Sequence, residues 1–279
     1  MQAARLARFR RVLAAALGTT YYRPWLEAAW LDSPEKIHAA GNPAELLRCL
    51  PELEADLYLA HPEQFAVPDG GRRESPVLTH PFPGKPRIAV LAEGFRTSHR
   101  TRSYPNGFGR GLARFRPHIV AGPPARLEQL GQAVSDGVLP VSPTHGVLVL
   151  LRPDQPLLEP EHRARLWSWF GVPVFQQVHG FDGELLAWEC EAHSGLHIVE
   201  EAALVETRAS EAGPGILLTS LTDLTRPMLR LLTPWRGLIT RRVCACGQPG
   251  ERIVQVEEGT RLDRDPEAEV FAGCSLSWS

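Results

Sequence analysis

The chain has 279 residues, 43% hydrophobic and 22% charged, which is ordinary globular usage and excludes wholesale disorder and fibrous repeats. Lys+Arg number 30 against 32 Asp+Glu, a formal net charge of -2, which argues against a protein whose main task is to coat nucleic acid. Only Lys36 and Lys85 are lysines, so any chemistry that needs a lysine has two candidates. Residues 1 to about 65 read as helices. Helical spacing runs from Arg5 to Leu17 and from Tyr22 to Trp30. Ser33-Pro34-Glu35 has the N-cap and first-turn proline of a helix start, and Asn42-Pro43-Ala44-Glu45 supplies another. From Gly70 the chain turns to Gly, Pro and Arg, with a short strand expected at Arg87 to Leu91. Arg96 to Arg116 is basic and glycine-rich and reads as a loop. His99, Tyr104, Phe108 and Phe115 are interleaved there, a mixture that suits phosphate or nucleic acid, but near-neutral overall charge favours a solvated loop.

An α/β alternation follows: strand His118 to Ala121, helix Ala125 to Ser135, strand Val147 to Leu151, helix Glu159 to Phe170, strand Pro173 to Val178. Strands separated by helices of about three turns imply parallel pairing through crossovers. The Trp-rich stretch Trp167-Ser168-Trp169-Phe170 is expected to face the core. From Leu185 the pattern is mostly β, at Leu196 to Glu200, Ala203 to Glu206, Gly215 to Leu221, Gly237 to Val243 and Arg252 to Val256. The expected division is a helical N-terminal subdomain at 1–75, an α/β sheet subdomain at 76–180 and a β-rich, zinc-bearing subdomain at 181–279. No stretch approaches the roughly 20 apolar residues of a membrane span, so no membrane association is expected. Five cysteines, an odd number, fit reduced thiols in the cytoplasm.

Cys190, then His193 and His197, and at long range Cys244-Ala245-Cys246-Gly247, have the composition of a closed structural zinc site. Two thiolates one residue apart, with Gly247 freeing the backbone to turn, form a knuckle that needs two further ligands. Cys190 and either His197 or His193 would supply them. The plainer alternative makes Cys190 a small buried hydrophobe and the Cys-x-Cys pair incidental. Asp223 with His197 and Ser220 could suggest a hydrolase triad, but no nucleophile-elbow spacing supports it.

The same residues carry a resemblance. Glu189-Cys190, Gly195-Leu196-His197-Ile198, Glu206, Gly213-x-Gly215-x-Leu217-x-Thr219-x-Leu221, Pro227-Met228-Leu229-Arg230 and Cys244-x-Cys246-Gly247 follow in an order that resembles the phenylacetate-CoA ligase branch of the adenylate-forming enzymes. Gly122 to Leu127, Arg163 and Trp169-Phe170-Gly171, and Tyr21-Tyr22 extend the likeness over most of the chain. The resemblance implies an α/β fold like that family's large domain, with a parallel sheet core, a helical N-terminal part and a β-rich C-terminal part. It also implies ATP and Mg²⁺ as cofactors and carboxylic acid activation followed by transfer to coenzyme A.

Measured against that family, the nucleotide motifs are altered. Its phosphate loop, T-S-G-[ST]-T-G-x-P, corresponds to Thr79-His80-Pro81-Phe82-Pro83-Gly84-Lys85-Pro86, where Thr79, Gly84 and Lys85 persist but two prolines remove amide donors. Its aromatic-Gly-x-[ST]-Glu motif corresponds to His179-Gly180-Phe181-Asp182-Gly183-Glu184, with Asp182 or Glu184 as the candidate acid. The plainer reading of that segment is a strand end and a glycine turn. Trp235 stands where a ribose-chelating aspartate is expected, and indole has no acceptor. The sequence ends at Ser279 with no lysine past Lys85, so the family's lysine-bearing C-terminal lid domain is expected to be absent. Removing one preorganised donor commonly costs about 10²–10³ in rate. The expectation is therefore a degenerate pseudoenzyme without autonomous adenylation, serving binding or assembly with a partner protein or as a homo-oligomer. The alternatives are an acyl-activating enzyme whose partner chain supplies the missing lysine domain, and a carrier of an aromatic or acyl small molecule.

Overall fold

The computed structural model describes residues 2–40, 43–68, 74–210 and 213–255. They divide into two compact units, one drawn from Met1–Arg73, Pro153–Gln155 and Ser194–Ser279 and the other from Glu74–Arg152 and Pro156–His193.

The first unit opens with helices α1 (Gln2–Ala16), α2 (Arg23–Ala28), α3 (Pro34–Ala39), α4 (Pro43–Arg48), α5 (Ala55–Ala60) and α6 (Pro62–Phe65). As expected, Ser33 caps α3, its hydroxyl accepting from the Lys36 amide at 3.3 Å. Short α5 and α6 complete the expected helical run to about residue 65, although neither has enough residues to show a helical period of its own. Their anchor is aromatic: Tyr22, Tyr58 and Phe65 are fully buried together. The Tyr22 hydroxyl both donates to the Leu229 carbonyl at 3.3 Å and accepts from the Leu229 amide at 3.0 Å.

The second unit carries β1 (Ile88–Val90), β2 (Thr101–Ser103), α7 (Arg110–Phe115), β3 (Ile119–Gly122), α8 (Pro124–Ser135), β4 (Gly146–Leu151), α9 (Pro160–Phe170), β5 (Val174–His179) and β6 (Leu185–Glu189). Its strand order is β2-β1-β3-β4-β5-β6. The first five run parallel and β6 antiparallel. Parallel strands covered on both faces should be apolar throughout, and β4 and β5 are buried at all six positions. On one face alternate residues Ile88, Val90, Ile119, Ala121, Leu148, Leu150 and Phe175 form a core. Helix α8 packs on β3 and β4, α9 on β5, and the two helices on each other. Gly131 makes that helix contact possible, because a Cβ there would lie 2.2 Å from the Trp169 ring.

Two expectations fail here. The 96–116 segment is not a loop: it supplies β2 and α7, since Leu112 and Phe115 bury into the unit and Tyr104 donates its amide to the Val90 carbonyl. Nor does the whole Trp-rich stretch face inward, because Trp167 is 60% exposed on the outer side of α9.

The chain then returns to the first unit with β7 (Leu196–Ile198), β8 (Ala203–Arg208), β9 (Gly215–Ser220), β10 (Leu231–Thr240) and β11 (Arg252–Gln255), ordered β7-β11-β10-β9-β8 and antiparallel. Strand β10 starts six residues earlier than its sequence pattern suggests. Leu53 explains this, accepting from the Leu232 amide and donating to the Arg230 carbonyl, both at 2.9 Å. The architecture is the expected mixed α/β class, parallel in its core and β-rich towards the C-terminus. Among the described residues no helix is long and apolar enough to cross a membrane.

Candidate functional site

The cysteine and histidine residues singled out from the sequence come together. Ligand atoms of Cys190, His197, Cys244 and Cys246 all lie within 4.8 Å of one another. Cys246 Sγ stands 3.5 Å from His197 Nε2. Three of the four residues are buried, Cys246 being intermediate. A regular tetrahedron with ordinary Zn–S and Zn–N bond lengths has ligand–ligand edges of about 3.4–3.8 Å, so the donor set and its spacing fit a Cys₃His metal centre.

Local structure explains each position. The 244–247 knuckle closes through a Gly247 amide bond to the Cys244 carbonyl at 2.8 Å, with Gly247 in the left-handed region. Its end is held by β10 and β11. His197 sits in β7, paired with Arg252 of β11. Gly195, just before β7, has φ +118 and no room for a side chain, since a Cβ would meet the Ile253 carbonyl oxygen at 2.3 Å. Around Cys244, the Ser194 hydroxyl is 3.3 Å and the Arg252 guanidinium 3.4 Å from Sγ. Arg252 also donates to the Ser194 hydroxyl and carbonyl. Arg252 thus places a cation beside the Cys244 sulfur, a charge that would complement a metal-bound cysteine. Sequence reading missed both residues; the only signal was a charge at a core-facing strand position.

Of the two histidines, only His197 lies with the cysteines. His193 is held elsewhere, its Nδ1 3.2 Å from Glu189 Oε1 and its ring stacked on Phe175 at 5.3 Å. Glu189 is buried and receives both Arg163 Nη2 bonds, at 2.8 and 3.0 Å, and the Gln176 amide at 3.1 Å. Cys49 is exposed and outside the group, and Cys274 lies outside the described residues. The Ser220–His197–Asp223 idea has no geometry behind it: Asp223 Oδ1 accepts from the Thr225 and Arg226 amides in a turn, and Ser220 bonds Thr222.

The 79–86 segment is filled by its own side chain. Phe82 lies against Phe175 (5.7 Å between centroids) and His145 (6.0 Å), and packs on the buried face of the sheet. Gly146 at the start of β4 accommodates the ring tip, since a Cβ there would lie 2.3 Å from Phe82 Cζ. Thr79 is exposed, its carbonyl accepting from Gln177 Nε2, and Gly84 turns with φ +80. Lys85 is exposed, and its carbonyl accepts from Arg100.

His179 ends β5 and is 5% exposed. Its Nδ1 is 2.9 Å from the Gly183 carbonyl, its Nε2 3.1 Å from Gln177 Oε1, and its ring meets Phe95 edge-on. Burial outweighs the Gly183 hydrogen bond and the Asp182 charge, pushing its pKa down to about 4. The Gly180 amide donates to the Glu184 carbonyl and Gly183 back to Gly180. Asp182 Oδ1 accepts the Glu184 amide at 3.2 Å inside this turn. Glu184 itself is exposed. In the other unit Trp235 is 2% exposed and donates Nε1–H to the Gln155 carbonyl at 2.8 Å.

No protein-family model matches the chain, and no curated protein matches it in sequence. Solved structures do. An open conformation of 2-hydroxyisobutyryl-CoA ligase, in complex with 2-HIB-AMP and CoA, superposes over 90% of this chain and 68% of its own with a TM-score of 0.62 at 15% identity. The same ligase in its thioesterification state gives a TM-score of 0.63 at 16% identity over 91% of this chain. This chain has an acyl-CoA ligase fold. It spans about two thirds of that ligase's length, 66% of it in the thioesterification and postadenylation states. The fold expected from the sequence resemblance, that of an adenylate-forming large domain, is therefore the one observed.

Proposed function

We propose that the chain is a degenerate relative of the phenylacetate-CoA ligase branch that binds or assembles without carrying out ATP-dependent acyl adenylation by itself, and that Cys190, His197, Cys244 and Cys246 hold one structural zinc ion. The observation that carries the first part is the Phe82 ring seated on Gly146. A phosphate cradle works by presenting amides and hydroxyls around an empty concavity. Here an aromatic side chain fills the corresponding segment, and Pro81 and Pro83 have no amide hydrogens to present. Trp235 adds to this, its single donor being already satisfied by Gln155.

Zinc would supply no chemistry in a closed four-ligand site; it would tie the 244–247 knuckle to β7 and to Cys190. Isothermal titration with ATP and Mg²⁺ tests the nucleotide reading. No heat is expected, and no pyrophosphate on adding carboxylic acids. Micromolar binding with pyrophosphate release would overturn it in favour of an acyl-activating enzyme.

A further inference from the structure

Residues 94–127 contain seven arginines and no aspartate or glutamate, in a chain whose remainder carries nine more acids than bases. The near-neutral total conceals this asymmetry. Arginine is abundant throughout, but elsewhere it is commonly compensated: Arg5, Arg163, Arg208, Arg230 and Arg241 all pair with carboxylates. Within 94–127, Arg96 alone has such a partner among the described residues, Glu74 at 2.6 Å. Arg100, Arg102, Arg110, Arg114 and Arg116 are all exposed and have none.

The elements that carry them, β2 and α7, are neighbours. Arg102 leaves edge strand β2 and lies over the Phe115 ring of α7, 4.8 Å from its centroid. Tyr104, following β2, donates to the Gly111 carbonyl of α7 at 3.4 Å. Arg87 holds the end of α7 by donating to the Phe115 and Arg116 carbonyls. Arg110 and Arg114 are one turn apart on α7 and project from the same side. That arrangement costs stability, because like charges at i and i+4 repel and a cation at Arg110 opposes the helix dipole.

We infer that this β2–α7 surface binds the sugar–phosphate backbone of a nucleic acid, without reading its sequence. Guanidinium groups match phosphate oxygens bidentately. Two of the rings are already covered, Phe115 by Arg102 and Phe108 by Arg126 at 4.6 Å, which makes charge the chief means of recognition. An acidic peptide adding to the sheet edge is disfavoured. The Ser98 amide already bonds the Thr101 carbonyl on the outer side of β2, and its hydroxyl takes the Thr101 amide. The patch presents no large exposed apolar side chain to insert into a lipid surface. This inference does not depend on whether the chain adenylates.

The test is fluorescence anisotropy of the full chain with a labelled 20-nucleotide single strand and with the duplex of the same length, across 50 to 200 mM salt. Five phosphate contacts predict log–log slopes of about −3.5 and −4.5 respectively, so single-strand affinity falls on the order of 10²-fold over that range. Arg110→Gln with Arg114→Gln should make the single-strand slope shallower by about 1.4. Because this pair removes a repulsion, its thermal midpoint should not fall, so lost affinity cannot be blamed on misfolding. A slope shallower than about −1 would overturn the inference, as would an affinity unchanged in the double variant. So would polyglutamate or phosphatidylserine vesicles binding as tightly with the same sensitivity to the two substitutions, assigning the surface to an acidic protein or a membrane instead.

Discussion

If the Phe82 ring closes the 79–86 segment, Phe82 and Gly146 should be strongly coupled. An alanine Cβ at Gly146 would lie 2.3 Å from Phe82 Cζ and 3.1 Å from both Cε1 and the Pro173 carbonyl oxygen. Carbon atoms pack at about 3.5–4.0 Å, so the ring would have to retreat by more than about 1 Å. Retreat is opposed by Phe175 and His145 on its flanks. Gly146→Ala alone should therefore cost about 2 kcal/mol, within the range for overpacked cores, although alanine in a strand otherwise gains about 0.5–1 kcal/mol over glycine. Phe82→Ala alone, removing a half-buried ring, should cost about 2 kcal/mol. In the double variant the main clash is gone and only the Pro173 contact remains. The second substitution should then be nearly free, giving a coupling of about 1–2 kcal/mol. Urea unfolding monitored by far-ultraviolet circular dichroism, with the m value held common to all four proteins, measures this cycle. Additivity within about 0.5 kcal/mol would refute the idea that the ring rests on Gly146, and with it the main structural support for a closed phosphate loop.

Three other expectations concern the remaining site residues. His179, neutral in the fold down to about pH 4, takes up its proton near pH 6.5 once unfolded, so its contribution is present above 6.5 and lost as pH falls towards 4. That contribution is roughly 3 kcal/mol across the window, so the difference in stability between the parent and His179→Gln should vary with pH by that amount between 6.5 and 4, and a constant difference would count against the burial argument. Elemental analysis should find one zinc per chain, and Cys246→Ser should lose it and lower the thermal midpoint; full zinc content in that variant would refute the ligand assignment. Gly195→Ala, placing a Cβ 2.3 Å from the Ile253 carbonyl at φ +118, should cost more than about 2 kcal/mol by chemical denaturation, since strain and clash act together.

Much of this was legible in the residues before any coordinates. Helix punctuation at Ser33-Pro34, and apolar runs such as 146–151, identified the elements and the parallel core, because capping and burial on two faces are local demands on composition. The metal-ligand types, too, announced themselves through Cys-x-Cys-Gly. Short elements were another matter: α5, α6, β2 and α7 are six residues or fewer, and tertiary partners rather than internal periodicity hold them.

What composition and order determined by themselves was the class of fold, the kinds of ligand atom present and the loss of amide donors at Pro81 and Pro83, since these are properties of residues one at a time or in short runs. Only the tertiary structure could show that Glu189 and Phe175 engage the His193 ring while Cys246 faces His197. Only it could turn Phe82 from an odd residue in a phosphate loop into a plug on Gly146, or make neighbours of the arginine-bearing elements β2 and α7. Each depends on distances between residues far apart in the chain, set by packing and not by spacing along it.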